Sequence, residues 1–281
     1  MVSELVSFIK KNNLLIFLIF FMPVLVLAET IIDDYRKYDV TKTKFTLERS
    51  AKDLRYPWAL SFIDKTNVLI TEKDGGLYKV DVLSGKKQKI KHNIPHIGYD
   101  GGGQGGLLDV NFNPSDGYTY FTYSHKSSKL TRSKQLSKKS STAIARGRLI
   151  ENEIKDFEIL LIAKPEFLEN RHYGSRIAIK GDDLFVSFGE RGQGMISQDP
   201  SKHPGSIVRI KTDGSIPHDN PHFSERMDWL PEIYLIGVRN PQGITVSPHD
   251  DEIYFSSHGP RGGDHIGEVE FGSNYGWKDI A

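Results

Sequence analysis

Five short loops hold polar residues that packing alone does not call for. They are Asp100 to Gly106, with Gln104 inside a glycine run; Arg171 to Arg176, with His172; Gly189 to Gly192, with Glu190; Gly237 to Gly243, with Arg239, Asn240 and Gln242; and Ser257 to Asp264, with Gly259 and Pro260. These side chains offer an imidazole, a carboxylate, a guanidinium and several carboxamides, which together cover acid–base chemistry, charge stabilisation and hydrogen bonding. Clustered glycines permit positive φ and let the backbone approach a flat ligand.

Taken singly, each loop has a plainer reading. A glycine run such as 101–106 is usually a turn, and this one lacks the strand-then-helix setting of a phosphate loop. A lone histidine is commonly a surface or hydrogen-bonded core residue. Arg239 and Asn240 could cap a blade edge, and Glu190 with Arg191 could form an ordinary ion pair. It is the combination that points to a site. The chain has no cysteine, so thiol catalysis, thiolate metal sites and disulfides are excluded.

The elements that must position these loops repeat along the chain. Trp58 to Ile63 returns as Asn67 to Thr71, with a third strand Gly76 to Val80. Leu107 to Phe112 returns as Tyr118 to Tyr123, Arg176 to Ile179 as Leu184 to Phe188, and Gly243 to Ser247 as Glu252 to Ser256. No long segment carries a helical apolar period, and 26 Gly and 13 Pro punctuate the sequence. The chain reads as all-β. Units recurring every roughly 45 to 70 residues suggest propeller blades, with a β-sandwich as the alternative. In a propeller, equivalent loops of successive blades converge on one face.

At 281 residues the chain can bury a substantial core. Its formal charge of +1 gives no field that would draw it to nucleic acid. The basic, Ser-rich run Lys126 to Lys139 reads as a solvated loop. Residues 1–28 read as a signal peptide: Lys10 and Lys11, an apolar run from Leu14 to Leu27, and a small residue, Ala28, at the cut. The expectation is a mature domain over 29–281, periplasmic or secreted, with no membrane span once the signal is removed.

Several segments resemble the glucose/sorbosone dehydrogenase family, whose members include PQQ-dependent aldose sugar dehydrogenases. They are Gly103-Gln104-Gly105-Gly106-Leu107-Leu108-Asp109, Gly214 to Pro221, Arg239-Asn240-Pro241-Gln242-Gly243 and His258 to Asp264. The resemblance implies a six-bladed β-propeller, here incomplete with about four to five blades. It also implies oxidation of an aldose sugar to a lactone, with pyrroloquinoline quinone (PQQ) and Ca2+ as cofactors and an unidentified electron acceptor as partner. On that reading His172 is the catalytic base, Glu190 its acidic partner and Arg239 the charge facing the quinone oxygen. Gln104, Asn240 and Gln242 would hydrogen-bond the cofactor, and Gly259 and Pro260 would offer carbonyl oxygens to calcium.

The sequence departs from the family pattern in places. Ser175 stands where a second glycine is usual, and His265 where an acidic residue usually follows Asp264. Family members also continue past Asn274-Tyr275-Gly276-Trp277 through blades carrying the Lys and Arg that hold the quinone carboxylates. The chain is therefore expected to be a C-terminally truncated propeller, poorly soluble and with little quinone-dependent activity by itself. A calcium-dependent lactonase and a non-catalytic binding propeller are the rival functions. The joint presence of His172, Arg239, Asn240 and Gln242 argues against the latter.

Overall fold

The computed structural model describes residues 49–127 and 138–280. Residues 1–48, on which the expected export signal falls, and most of the basic run lie outside the described residues. What is described is nearly all β-structure, built as four antiparallel sheets arranged as propeller blades. Blade 1 comprises β1 (Pro57–Phe62), β2 (Asn67–Glu72), β3 (Leu77–Asp81) and β4 (Lys87–Lys89). Blade 2 comprises β5 (Leu107–Asn113), β6 (Tyr118–Lys126), β7 (Ser140–Ile150) and β8 (Glu153–Ile162). Blade 3 holds β9 (Ile177–Lys180), β10 (Asp183–Phe188), β11 (Ser206–Lys211) and β12 (Ile233–Ile236), and blade 4 holds β13 (Pro241–Val246), β14 (Ile253–Ser257) and β15 (His265–Glu268).

Within each blade, strands pair with their sequence neighbours, the pattern of a simple meander. Innermost strands of successive blades lie side by side: β1 by β5, β5 by β9, β9 by β13. The period-2 alternation of each middle strand sends successive side chains to opposite inter-blade cores. On β6, Phe121 and Tyr123 face blade 1 while Tyr120 faces blade 3. On β10, Leu184, Val186 and Phe188 face blade 2 while Phe185 faces blade 4. Small residues at Ala143 and Ala145 of β7 join the first of these cores, and Ile144 the second.

The expected repeats are present, with shifted ends and missing members. The third strand begins at Leu77, because Gly76 still belongs to the turn, its carbonyl accepting from Glu72 N at 2.7 Å. β4, β7, β8, β11, β12 and β15 were not visible as strands in the sequence. β7 (SSTAIARGRLI) is buried on both faces over its first half, so it shows no polar alternation. β12 is four residues long, too short to carry a period.

One glycine pins the entry to blade 2. Gly106 has φ +147°, and a Cβ there would lie 2.2 Å from the Lys73 carbonyl oxygen. Its N–H donates to Ser124 Oγ at 2.7 Å, and its carbonyl accepts from Ser124 N at 2.9 Å. Gly106→Ala is expected to cost about 1–3 kcal/mol through strain at this φ and steric displacement of blade 1. Chemical denaturation of the variant, with an unchanged slope and a lower midpoint, is the check.

Candidate active site

The loop after β8 carries His172 in an unusual backbone path. His172 (φ 52°), Gly174 (φ 63°) and Ser175 (φ 79°) all take left-handed conformations. Such strain persists only where surroundings over-determine it. Here the His172 N–H donates to Gln104 Oε1 at 2.6 Å, and its carbonyl accepts from Arg191 N at 3.3 Å. The Tyr173 side chain is buried, its hydroxyl on Ser140 Oγ and Asn170 Oδ1. The positive φ at Ser175 is a reason for glycine at this position; the serine is held by Ser187 O and by its own Oγ on Tyr173 O.

His172 Nδ1 donates to Glu190 Oε1, and both side chains are largely buried. The other carboxylate oxygen of Glu190 accepts from the Gly194 N–H. Burial works to raise the Glu190 pKa, but the hydrogen bonds from His172 and Gly194 and the charge of Arg239 hold it below its ordinary value. The carboxylate therefore stays ionised and fixes the Nδ1–H tautomer. His172 Nε2 is left without a partner among the described residues, and it is not sealed from solvent. It is a lone-pair acceptor in a fixed orientation, the geometry of a general base.

The other loops close around this pair. Glu190 N donates to the Arg239 carbonyl at 2.8 Å. The Arg239 guanidinium donates to the carbonyls of His258 (3.2 Å) and Gly259 (3.0 Å) and lies 5.4 Å from the Trp277 ring. Asn240 is buried, and its Oδ1 accepts from Gly174 N at 3.1 Å. Gly189 makes this closeness possible, since a Cβ there would meet the His172 carbonyl oxygen at 2.2 Å and Asn240 Oδ1 at 2.7 Å.

Two adjoining cavities share His258 and His265. The larger, about 700 Å³, is lined by Trp58, Arg176 and Gln242 among others. The smaller, about 320 Å³, is lined by Arg239, Gly259, Pro260 and Trp277. His172 lines neither of these two.

Arg191 does not pair with Glu190. It is 2% exposed, stacks 3.7 Å from the Tyr173 ring centroid and donates to the carbonyls of Arg171, Ser140 and Glu169. The ion-pair reading of Glu190 and Arg191 is thus replaced by a His172–Glu190 pair and a separate cation that clamps the histidine loop. Sequence reasoning also gave no role to Trp58, Asp109 or Arg176. The signal for one of them was there: a charged Asp109 inside the apolar run Leu107-Leu108-Asp109-Val110 demands a buried partner. That partner is Arg176, 3.2 Å away.

Against this geometry, the comparisons are decisive about kinship. The glucose/sorbosone dehydrogenase family model matches residues 54–281. The chain belongs to this family. Aldose sugar dehydrogenase YliI of Escherichia coli (strain K12) is 34% identical over 231 residues, covering 80% of the chain and 59% of that protein. Quinoprotein glucose dehydrogenase B of Acinetobacter calcoaceticus is 27% identical over 253 residues, covering 82% of the chain and 51% of that protein. A crystal structure of a glucose dehydrogenase superposes with a TM-score of 0.74 at 29% identity, over 83% of this chain and 66% of that one. The chain thus spans a little over half the length of these curated family members.

Burial raises the Asp109 carboxyl to about 6, against the pull of Arg176 and the N–H groups of Ile177 and Val110. A carboxyl raised above its unfolded value of 3.8 binds its proton more tightly when folded. Its contribution to stability is therefore complete below the unfolded value and lost as pH rises through about 6. Relative to Asp109→Asn, the wild type is expected to lose unfolding free energy between about pH 4 and 7, measured by urea titration at each pH. Separately, Gly189→Ala should push the His172 carbonyl away and loosen the pair. A lower thermal midpoint together with changed His172 ring resonances by NMR checks this.

Proposed function

We propose that this chain carries the sugar-oxidising site of a PQQ-dependent aldose dehydrogenase that acts in the periplasm after removal of residues 1–28. The observation that carries the reading is the His172–Glu190 pair, with Nε2 open and Arg239 beside it. Family membership and the activities for which the two relatives are named support it.

The residues present suit a flat, anionic quinone. Arg176 and Gln242 line the larger cavity and Arg239 the smaller one, and the larger falls within the size range of cofactor sites. Gln104 and Asn240 would hold the group, with Gln242 and Arg239 at the adjoining cavities. When bound, PQQ would supply the two-electron acceptor that turns an aldose into its lactone. The protein's own part is to take the proton. His172 Nε2 accepts the anomeric hydroxyl proton, and Glu190 stabilises the resulting imidazolium through Nδ1–H. Gln104 keeps the ring in place by holding the His172 backbone. Electrons would pass to an acceptor still to be identified.

Calcium is the second group implied by the resemblance. The Gly259 carbonyl expected to bind it is already bonded to the Arg239 guanidinium. The Asp264 carboxylate is folded back on the Gly259 N–H at 2.7 Å. A divalent cation would sit against a guanidinium here, so the residues in this arrangement do not fit calcium, and no step is assigned to it.

His172→Gln in the protein, supplied with PQQ, should lower dye-coupled aldose oxidation by roughly 10²- to 10⁴-fold. Glu190→Gln should lower it too and move the acidic limb of the pH–rate profile. Unchanged oxidation in His172→Gln would remove the catalytic assignment.

A further inference from the structure

The larger cavity has a cation at its wall that neither the loop motifs nor the catalytic pair require. Arg176 begins the innermost strand region of blade 3, and three contacts from three other blades fix its guanidinium. Its plane lies 4.1 Å from the Trp58 ring at the start of β1. Its Nη1 donates to Asp109 Oδ1 of β5 at 3.2 Å, and its Nε donates to the Gln242 carbonyl of β13 at 2.9 Å. Asp109 is itself locked, accepting from Ile177 N at 2.8 Å and Val110 N at 3.0 Å.

A guanidinium has five N–H donors. Two are committed here, and Nη2 has no partner among the described residues and is not sealed. The side chain lines the cavity with Gln242, His258 and His265. A planar fork held on three sides, with its remaining donors facing a cavity, is preorganised for a carboxylate. Asp109 tempers this charge without occupying the free edge.

We infer that Arg176 anchors a carboxylate of the quinone in this cavity. The inference rests on the proposed function. Asp109 and Trp58 position the fork: Asp109 from outside the cavity lining, Trp58 from the cavity wall.

Equilibrium dialysis of PQQ and of its trimethyl ester against the full chain tests this without requiring turnover. Arg176→Met could leave Asp109 unpaired and unfold the protein, so the double variant Arg176→Met/Asp109→Asn is measured beside it, with folding checked by circular dichroism. Expected are tight PQQ binding by the wild type, a loss of roughly tenfold or more in the double variant, and ester affinity unchanged by the substitutions. Arg176→Lys should recover part of the PQQ affinity. Equal PQQ affinity in wild type and folded double variant, or equal losses for PQQ and ester, overturns the inference and leaves the proposed function standing. Loss of glucuronate binding with PQQ binding intact would move the anchor to an acidic sugar and overturn it as stated. A folded wild type that binds neither PQQ nor its ester overturns the proposed function, and the inference with it.

Discussion

The blades of this protein cannot be stable one at a time. The middle strands of blades 2 and 3 carry apolar side chains on both faces, with Phe121 and Tyr123 opposed to Tyr120 and Val186 opposed to Phe185. A four-stranded sheet with two apolar faces must be covered on both, so each blade needs a neighbour on either side. Stacking blades in this way draws their innermost strands together. The loops at the ends of those strands then meet, whatever their distance in sequence. His172 and Gln104 are 68 residues apart and share a hydrogen bond because of it.

Bringing charged side chains into such a convergence is costly unless each is answered. The structure answers them in separate ways. Glu190 is met by His172 and a backbone N–H, and Asp109 by Arg176 and two backbone N–H groups. Arg191 is met by carbonyl oxygens and the face of Tyr173, with no carboxylate at all. Among the described residues, His172 Nε2 and the Nη2 edge of Arg176 are left without an internal partner, and Arg176 lines the larger cavity. An open polar group beside a cavity is where a ligand would bind.

The glycines serve the same convergence. At Gly189 and Gly106 the neighbouring backbone occupies the space of a side chain, and the loops could not close with any other residue there. The left-handed backbone of His172 and Ser175 is the cost of carrying an imidazole on a loop this tightly folded.

The sequence by itself determined the all-β class and the positions of the paired strands that open each blade, because alternation and turn residues are local; a shared site for His172, Glu190, Arg239 and Asn240 was implied by the resemblance to the family. The strands buried on both faces, β7 above all, left no alternation to read, and β12 is too short to show one. Only the tertiary structure decided that Glu190 pairs with His172 while Arg191 clamps Tyr173, that the Gly259 carbonyl is held by Arg239, and that Trp58, Arg176 and Gln242 meet at the wall of the larger cavity with Asp109 bound to Arg176. Each of those contacts joins residues from different loops or blades. Their partners are fixed by how the sheets stack, which no local pattern records.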